Sequence, residues 1–255
     1  MSYAAQPPVG GKLDIGASVR TAYSMVLEHA RLAVDLAWLP FAVLVVGEIA
    51  ALVVGGGGFG MMLAALVRGL GFAVFGTIFI VRWHRFVLLG ETIGADLFPP
   101  GWGVFVIAAI KITLCVILGM VILGVIAAMP PHFLTVPIAV VGGIALAIGS
   151  SRLSLVFPAA AIERPITLRA AWDLAAGNFW PLFTCLLLCY LPFAVVHFIV
   201  AAIGSAAGSI VWLVFQIINL AVSFAGVAVV ASLLSGIYRQ LTGEPGQAVL
   251  HQASG

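Results

Sequence analysis

Six side chains able to exchange protons, pair charges or hydrogen-bond strongly interrupt otherwise apolar runs: Glu48, Arg68, Lys111, His197, Gln216 and Asn219. Ionisable groups are costly in hydrocarbon, which makes them the first place to look for function. Glu48 lies a few residues before the end of one run, and Arg68 a similar distance after the start of the next. At about 1.5 Å of rise per residue, both sit about 10 Å below the same surface. The short Gly55–Gly60 connection makes the two runs antiparallel neighbours, so a Glu48–Arg68 ion pair is expected. It either locks the hairpin or forms part of a polar site. Gln216 and Asn219, three residues apart, share a helix face. The functional reading is a central cluster of Glu48, Arg68, Gln216 and Asn219. The structural reading is interhelical hydrogen bonding, often worth less than about 1 kcal/mol per contact in a membrane. Lys111 can snorkel part of the way to an interface or pair within the bundle. His197 lies toward a helix end, where a headgroup or water contact suffices.

A second set lies where apolar runs end: Arg20, His84, Arg85, Arg152, Arg169 and Arg239. At that level these residues can contact lipid headgroups. With Asp173 they also contain the residue types of a phosphate clamp with an acid or base, but no compact motif joins them. The chain has no His-Glu-x-x-His, Gly-x-Ser-x-Gly or P-loop pattern. The Gly55–Gly58 run lacks the Gly-Lys-Ser/Thr ending. Cys185 and Cys189 share a helix face, yet cysteines in such a setting behave as small hydrophobes. No catalytic set, metal site or cofactor is expected, and the chain reads as a non-enzyme.

The elements that position these residues follow from composition. Of 255 residues, 63% are hydrophobic and 8% charged, with a mean hydropathy of +1.23. A soluble domain carries about 25% charged residues, so soluble enzymes and nucleic-acid binders are excluded. Six continuous apolar runs each reach the ~20 residues needed to cross a bilayer as a helix. They lie near Val34–Val54, Met61–Val81, Val104–Met129, Phe133–Val156, Pro181–Ile203 and Ile210–Leu234. Continuous runs of this length exclude a β-barrel, whose strands alternate. The fold class is therefore all-α, a polytopic six-helix membrane bundle. Residues 1–17 read as a disordered arm without signal-peptide character, 18–244 as one transmembrane domain and 245–255 as a disordered tail.

Lys12, Arg20, Arg31, Arg82, Arg85, Arg152, Arg164, Arg169 and Arg239 all fall on one side of this arrangement. The opposite connections, Gly55–Gly60, Met129–His132 and Gly204–Gly208, contain no Lys or Arg. The positive-inside rule then places both termini in the cytoplasm.

Two stretches resemble one another. Ser18-Val-Arg-Thr-Ala-Tyr leads on to Leu39-Pro40-Phe41, and Thr167-Leu-Arg-Ala-Ala-Trp to Leu191-Pro192-Phe193. Downstream, His84-Arg85 and Gly90-Glu91 match Tyr238-Arg239 and Gly243-Glu244. Both units enter the membrane from the same side, as in a parallel repeat. Each opens with an N-cap residue, Ser18 or Thr167, and a short amphipathic helix. These two helices are expected to lie in the interface with their apolar faces on acyl chains. Gly177-Asn178 predicts a left-handed exit from the second. Small residues in spans four and six predict that both lie at the bundle centre.

Two motifs carry a family resemblance. One is Arg82-Trp-His-Arg-Phe-Val-Leu-Leu-Gly-Glu91. The other is Arg152-Leu-Ser-Leu-Val-Phe-Pro158, continuing to Leu168-Arg-Ala-Ala-Trp172 and on to Gly177-Asn178. The chain is similar to uncharacterised bacterial six-helix membrane proteins, and to the membrane domain attached to some glycerophosphodiester phosphodiesterases, whose catalytic domain is absent from it. The resemblance implies a multi-pass bacterial inner-membrane protein and supplies no substrate. The expected function is a non-catalytic accessory, scaffold or envelope-homeostasis component contacting membrane lipids or other membrane subunits. The alternatives are a small-solute transporter or channel and, further off, an enzyme acting on lipid headgroups.

Overall fold

Backbone polar groups in hydrocarbon must be satisfied within the chain, and the helix does this for a single apolar run. The computed structural model describes residues 11–54, 58–91, 94, 96–129, 132–205 and 209–243. Among them the elements are α1 (Ile15–Glu28), α2 (Ala30–Val54), α3 (Gly58–Gly71), a π-helical turn (Phe72–Gly76) and α4 (Thr77–Leu89). There follow α5 (Trp102–Ala128), α6 (His132–Leu153), α7 (Val156–Ala161), α8 (Leu168–Leu174), α9 (Phe179–Ser205) and α10 (Ser209–Thr242). No strand occurs among the described residues.

Six helical stretches are long and apolar enough to span a membrane: Ala30–Ala50, Ala65–Leu89, Trp102–Ala128, Phe133–Ala161, Phe179–Gly204 and Val211–Thr242. The second and sixth run well past the apolar stretches that announced them. Arg82, Arg85 and Arg239 are thus helical residues and not loop residues. Their guanidinium groups find partners inside the protein, so the helix continues through them.

The core lies toward the end of the bundle that carries these arginines, the basic end. α10 is its axis and packs on α9, α1, α4 and α2. On one side Phe79, Trp83 and Phe86 of α4 meet Phe224 of α10, with the Phe79 and Phe224 rings edge-on at 5.1 Å. On the other, Val81, Leu155, Leu182, Leu233 and Ile237 form a fully buried cluster. Span six is central, as its small residues suggested, but span four is not. The most apolar part of span four is unburied, and its glycines serve a local purpose. A Cβ at Gly142 would meet Leu123 at 2.2 Å, so that glycine seats a leucine of α5. Leu146 reaches Gly119 in the same way.

The N-terminal boundary also differs from expectation. Asp14 caps α1, its carboxylate accepting from the Ala17 N–H at 2.9 Å, and Ser18 already lies inside the helix. Leu13 is buried, and its N–H donates to Asn178 Oδ1 at 2.9 Å. Residues 11–17 therefore belong to the folded unit; residues 1–10 and 244–255 lie outside the described residues. Nor does α1 turn its apolar face to acyl chains. Ala22 is buried, Tyr23 stacks on Phe193 and donates to the Cys189 carbonyl at 3.1 Å, and the helix packs on α9 and α10. α8 is shorter and is capped by Thr167 as expected, through a 3.1 Å bond from the Ala170 N–H. The left-handed exit at Gly177 is present, at φ +79°.

Candidate functional site: a tied basic end and a central cavity

At the basic end the arginines are consumed by protein contacts to different degrees. Arg85 is the most enclosed, with a side chain 9% exposed. Its Nε and second terminal nitrogen donate to both Glu91 oxygens at 2.6 and 2.7 Å. The remaining terminal nitrogen donates to the carbonyls of Ala161 at 3.0 Å and Pro100 at 3.3 Å, with Glu163 at 3.5 Å. Two glycines build this node. Gly90 leaves α4 at φ +74°, which returns Glu91 to an arginine one turn and a half behind it. Gly101, at φ +80°, lets the 100–101 turn press on the end of α7, where a Cβ would meet the Ala161 carbonyl oxygen at 2.7 Å. A cation on the last carbonyls of a helix complements its dipole. Where a headgroup contact was expected, four of the five guanidinium N–H donors of Arg85 point to protein acceptors.

His84 is likewise not a rim group. It is 1% exposed, and its Nδ1 lies 2.7 Å from Ser235 Oγ. Its neighbour Trp83 donates to Ser232 Oγ at 2.8 Å. Arg239 donates to the Val87 carbonyl and Arg82 to that of Asp96. Arg152 lies 3.8 Å from the centre of the Trp172 ring and donates to the Trp172 carbonyl at 2.9 Å. Of the expected headgroup contacts, Arg20 and Arg169 are the two that point outward, Arg169 with an exposed Asp173 partner at 3.0 Å.

The intramembrane residues divide into two groups. Arg68 donates to Glu48 at 3.3 Å, with side chains 33% and 13% exposed, as the hairpin argument required. Asn219 donates to Gln216 Oε1 at 3.4 Å, and its own Oδ1 lies 3.0 Å from His197 Nδ1. Among the described residues no hydrogen bond joins the pair to the triad, so the single cluster of Glu48, Arg68, Gln216 and Asn219 is not assembled. His197 replaces the ion pair as the triad's third member. Lys111 is exposed and has no polar partner among the described residues. No grouping of three or more metal-ligating side chains occurs among them either.

Sequence reasoning missed a cavity of about 480 Å³ bordered by α4, α5, α7, α9, α10 and the π-turn. Its wall is mostly Phe, Leu, Ile, Val and Ala, punctuated by Thr77, His84, Ser154, Tyr190, His197 and Ser223. No Asp, Glu, Lys or Arg lines it among the described residues. Thr77 sits where the π-turn ends. It donates back to the Ala73 and Val74 carbonyls and accepts from the Trp102 indole at 3.0 Å. Extra-residue turns of this kind occur often at functional sites. Ser235, three residues after Ser232 on α10, holds the wall's His84, but no sequence pattern announced the cavity.

No family model, curated protein or solved structure matches this chain.

Proposed function

We propose that the chain is a non-catalytic multi-pass component of a bacterial inner membrane, with both termini cytoplasmic, that contacts lipids and partner subunits. The observation that carries this reading is the use of its charged groups. Arg85, the residue best suited by type and position to clamp a phosphate, spends its fork on Glu91 and two backbone carbonyls. The Glu48–Arg68 pair closes on itself in the same manner. An enzyme acting on headgroups would need such groups free to meet substrate. The resemblance to the membrane domains of phosphodiesterases that carry their catalysis in a separate domain fits this picture.

The experiment is cysteine accessibility at position 68. Arg68→Cys is introduced where Cys115, Cys185 and Cys189 have been replaced, then treated with a membrane-impermeant thiol reagent. Protection in a normally folded protein is expected, because the reading provides no water-filled path to that depth. Labelling would overturn the reading in favour of transport. That second reading draws on the central cavity, but the cavity's uncharged wall and its separation from Glu48 and Arg68 fit an apolar occupant better than an ion.

A further inference from the structure

The cavity has the shape and chemistry of a binding site for one particular class of molecule. From His84 to Phe72, both in its wall, the helix climbs twelve residues, about 18 Å at the usual rise. The wall therefore follows several turns of that helix, the π-turn included, and the volume falls within the ~300–1,000 Å³ typical of small-molecule sites. Tyr190 lines it and is itself 58% exposed, so the wall reaches the outside of the bundle at α9. α5 and α9 both pack on α6, and residues of both helices line the cavity.

A polar handle sits at the basic end of this slot. His84 is 1% exposed, and its Nδ1 is held by Ser235, itself fully buried. Among the described residues its other nitrogen, Nε2, has no hydrogen-bond partner. Because His84 lines the cavity, its ring is placed to meet a polar atom of an occupant. Ser154, also in the wall, donates to the Ser151 carbonyl and keeps its own oxygen as an acceptor. A charged head is excluded, since nothing in the wall would compensate it.

We infer that the cavity binds a single hydrocarbon chain with an uncharged hydroxyl or carbonyl head, the chain lying along the slot and the head meeting His84 Nε2. Either tautomer of His84 serves: Nε2 donates to a carbonyl or hydroxyl when Ser235 donates to Nδ1, and accepts from a hydroxyl in the other case. A second cavity, of about 420 Å³ beside α2, has a similar volume but a wall of Val, Ala and aromatic residues with no comparable handle.

The test uses the full chain in lipid nanodiscs and a sixteen-carbon alcohol bearing a photoreactive diazirine in its chain, with crosslinked peptides mapped by mass spectrometry. Crosslinks are expected on cavity residues such as Ile80, Phe157 and Val230. One hydrogen bond of ordinary strength corresponds to about a three- to tenfold advantage, so hexadecanol should compete that much better than hexadecane. His84→Phe should erase the difference between the two competitors. Because that change also strands Ser235, Ala109→Phe, which fills the slot without touching the handle, should abolish cavity labelling with the melting temperature retained. Equal competition by the alkane would overturn the inference. So would labelling that survives Ala109→Phe, or labelling confined to the second cavity and the outer faces of α5 and α6. Protection at position 68 is unaffected by any of these outcomes.

Discussion

Arg85 shows how a residue that looks functional becomes architectural. A guanidinium taken out of water is tolerated only when its donors are met, and removing one partner of such a pair costs more than the pair contributes. Here the partners come from three separate stretches, 91, 100 and 161–163, so the side chain ties the ends of α4 and α7 to the 91–101 connection. Arg85→Ala should lower unfolding stability by about 2–4 kcal/mol, read from denaturant titration in micelles. Arg85→Lys should recover less than half of that, because a lysine cannot reproduce the two-pronged bond to Glu91. Glu91→Gln should cost less than Arg85→Ala, because the glutamine keeps one acceptor and the guanidinium keeps Ala161, Pro100 and Glu163. Tyr23 offers a second test. Burial pushes its hydroxyl above the ordinary value of 10, and the nearby Cys189 pushes in the same direction. The folded state therefore favours the protonated phenol. That contribution is intact below pH 10 and is lost as pH rises from 10 through the raised folded value. Tyr23→Phe should cost about 1 kcal/mol at neutral pH through the lost bond to the Cys189 carbonyl. It should also flatten the decline of stability at higher pH.

At the scale of elements, hydropathy located the spans because it is a property of the chain in one dimension. It could not locate their ends. The helices stop where their polar groups cease to find partners, and those partners, Glu91 for Arg85 and Val87 for Arg239, are set by tertiary contact. The Glu48–Arg68 pair was legible for the opposite reason, since a tight hairpin makes sequence spacing equivalent to depth. α1 was misplaced because an amphipathic stripe reads the same whether lipid or protein covers it; Asn178, the residue that draws Leu13 inward, is remote in sequence. The cavity was invisible for the same reason: its wall combines residues from several helices. Small residues were over-read, since glycine spacing identifies a close contact without saying which helix makes it. The α5–α6 hairpin makes this testable. Gly142 accommodates Leu123, while a Cβ at the adjacent Gly143 would meet nothing within 4 Å. Gly142→Ile should therefore destabilise the protein by about 1–3 kcal/mol through overpacking. Gly143→Ile should leave the melting temperature nearly unchanged. Equal effects would mean that helix propensity, and not the Leu123 contact, governs the site.

For the whole molecule, the distribution of charge and the packing of the bundle point to one asymmetry. The core, the tied arginines and the short helices α7 and α8 gather at the basic end, while the outer half of the α5–α6 hairpin presents Leu118, Val121, Val125, Phe133 and Val136 outward. Lipid is the natural solvent for such a surface. A bundle built this way should resist separation at its basic end and yield first at the other, since local opening begins where buried contacts are fewest. Hydrogen exchange in nanodiscs should find the slowest amides in the 79–88 and 228–238 stretches, and faster exchange along 118–129 and 132–140 once lipid is replaced by a mild detergent. The orientation proposed for the chain makes a companion prediction. Cysteines placed at Ala17 and Gly177 should react with an impermeant thiol reagent only after the cells are opened, and one placed at Gly57 should react in intact cells. If all three react from the same side, an even number of crossings separates positions 17 and 57, and the six-span path itself must be redrawn. If the sides are merely exchanged, the bundle stands and its orientation is inverted. In that case the nine basic residues that flank the spans would face outward, against the electrostatic preference that set the orientation.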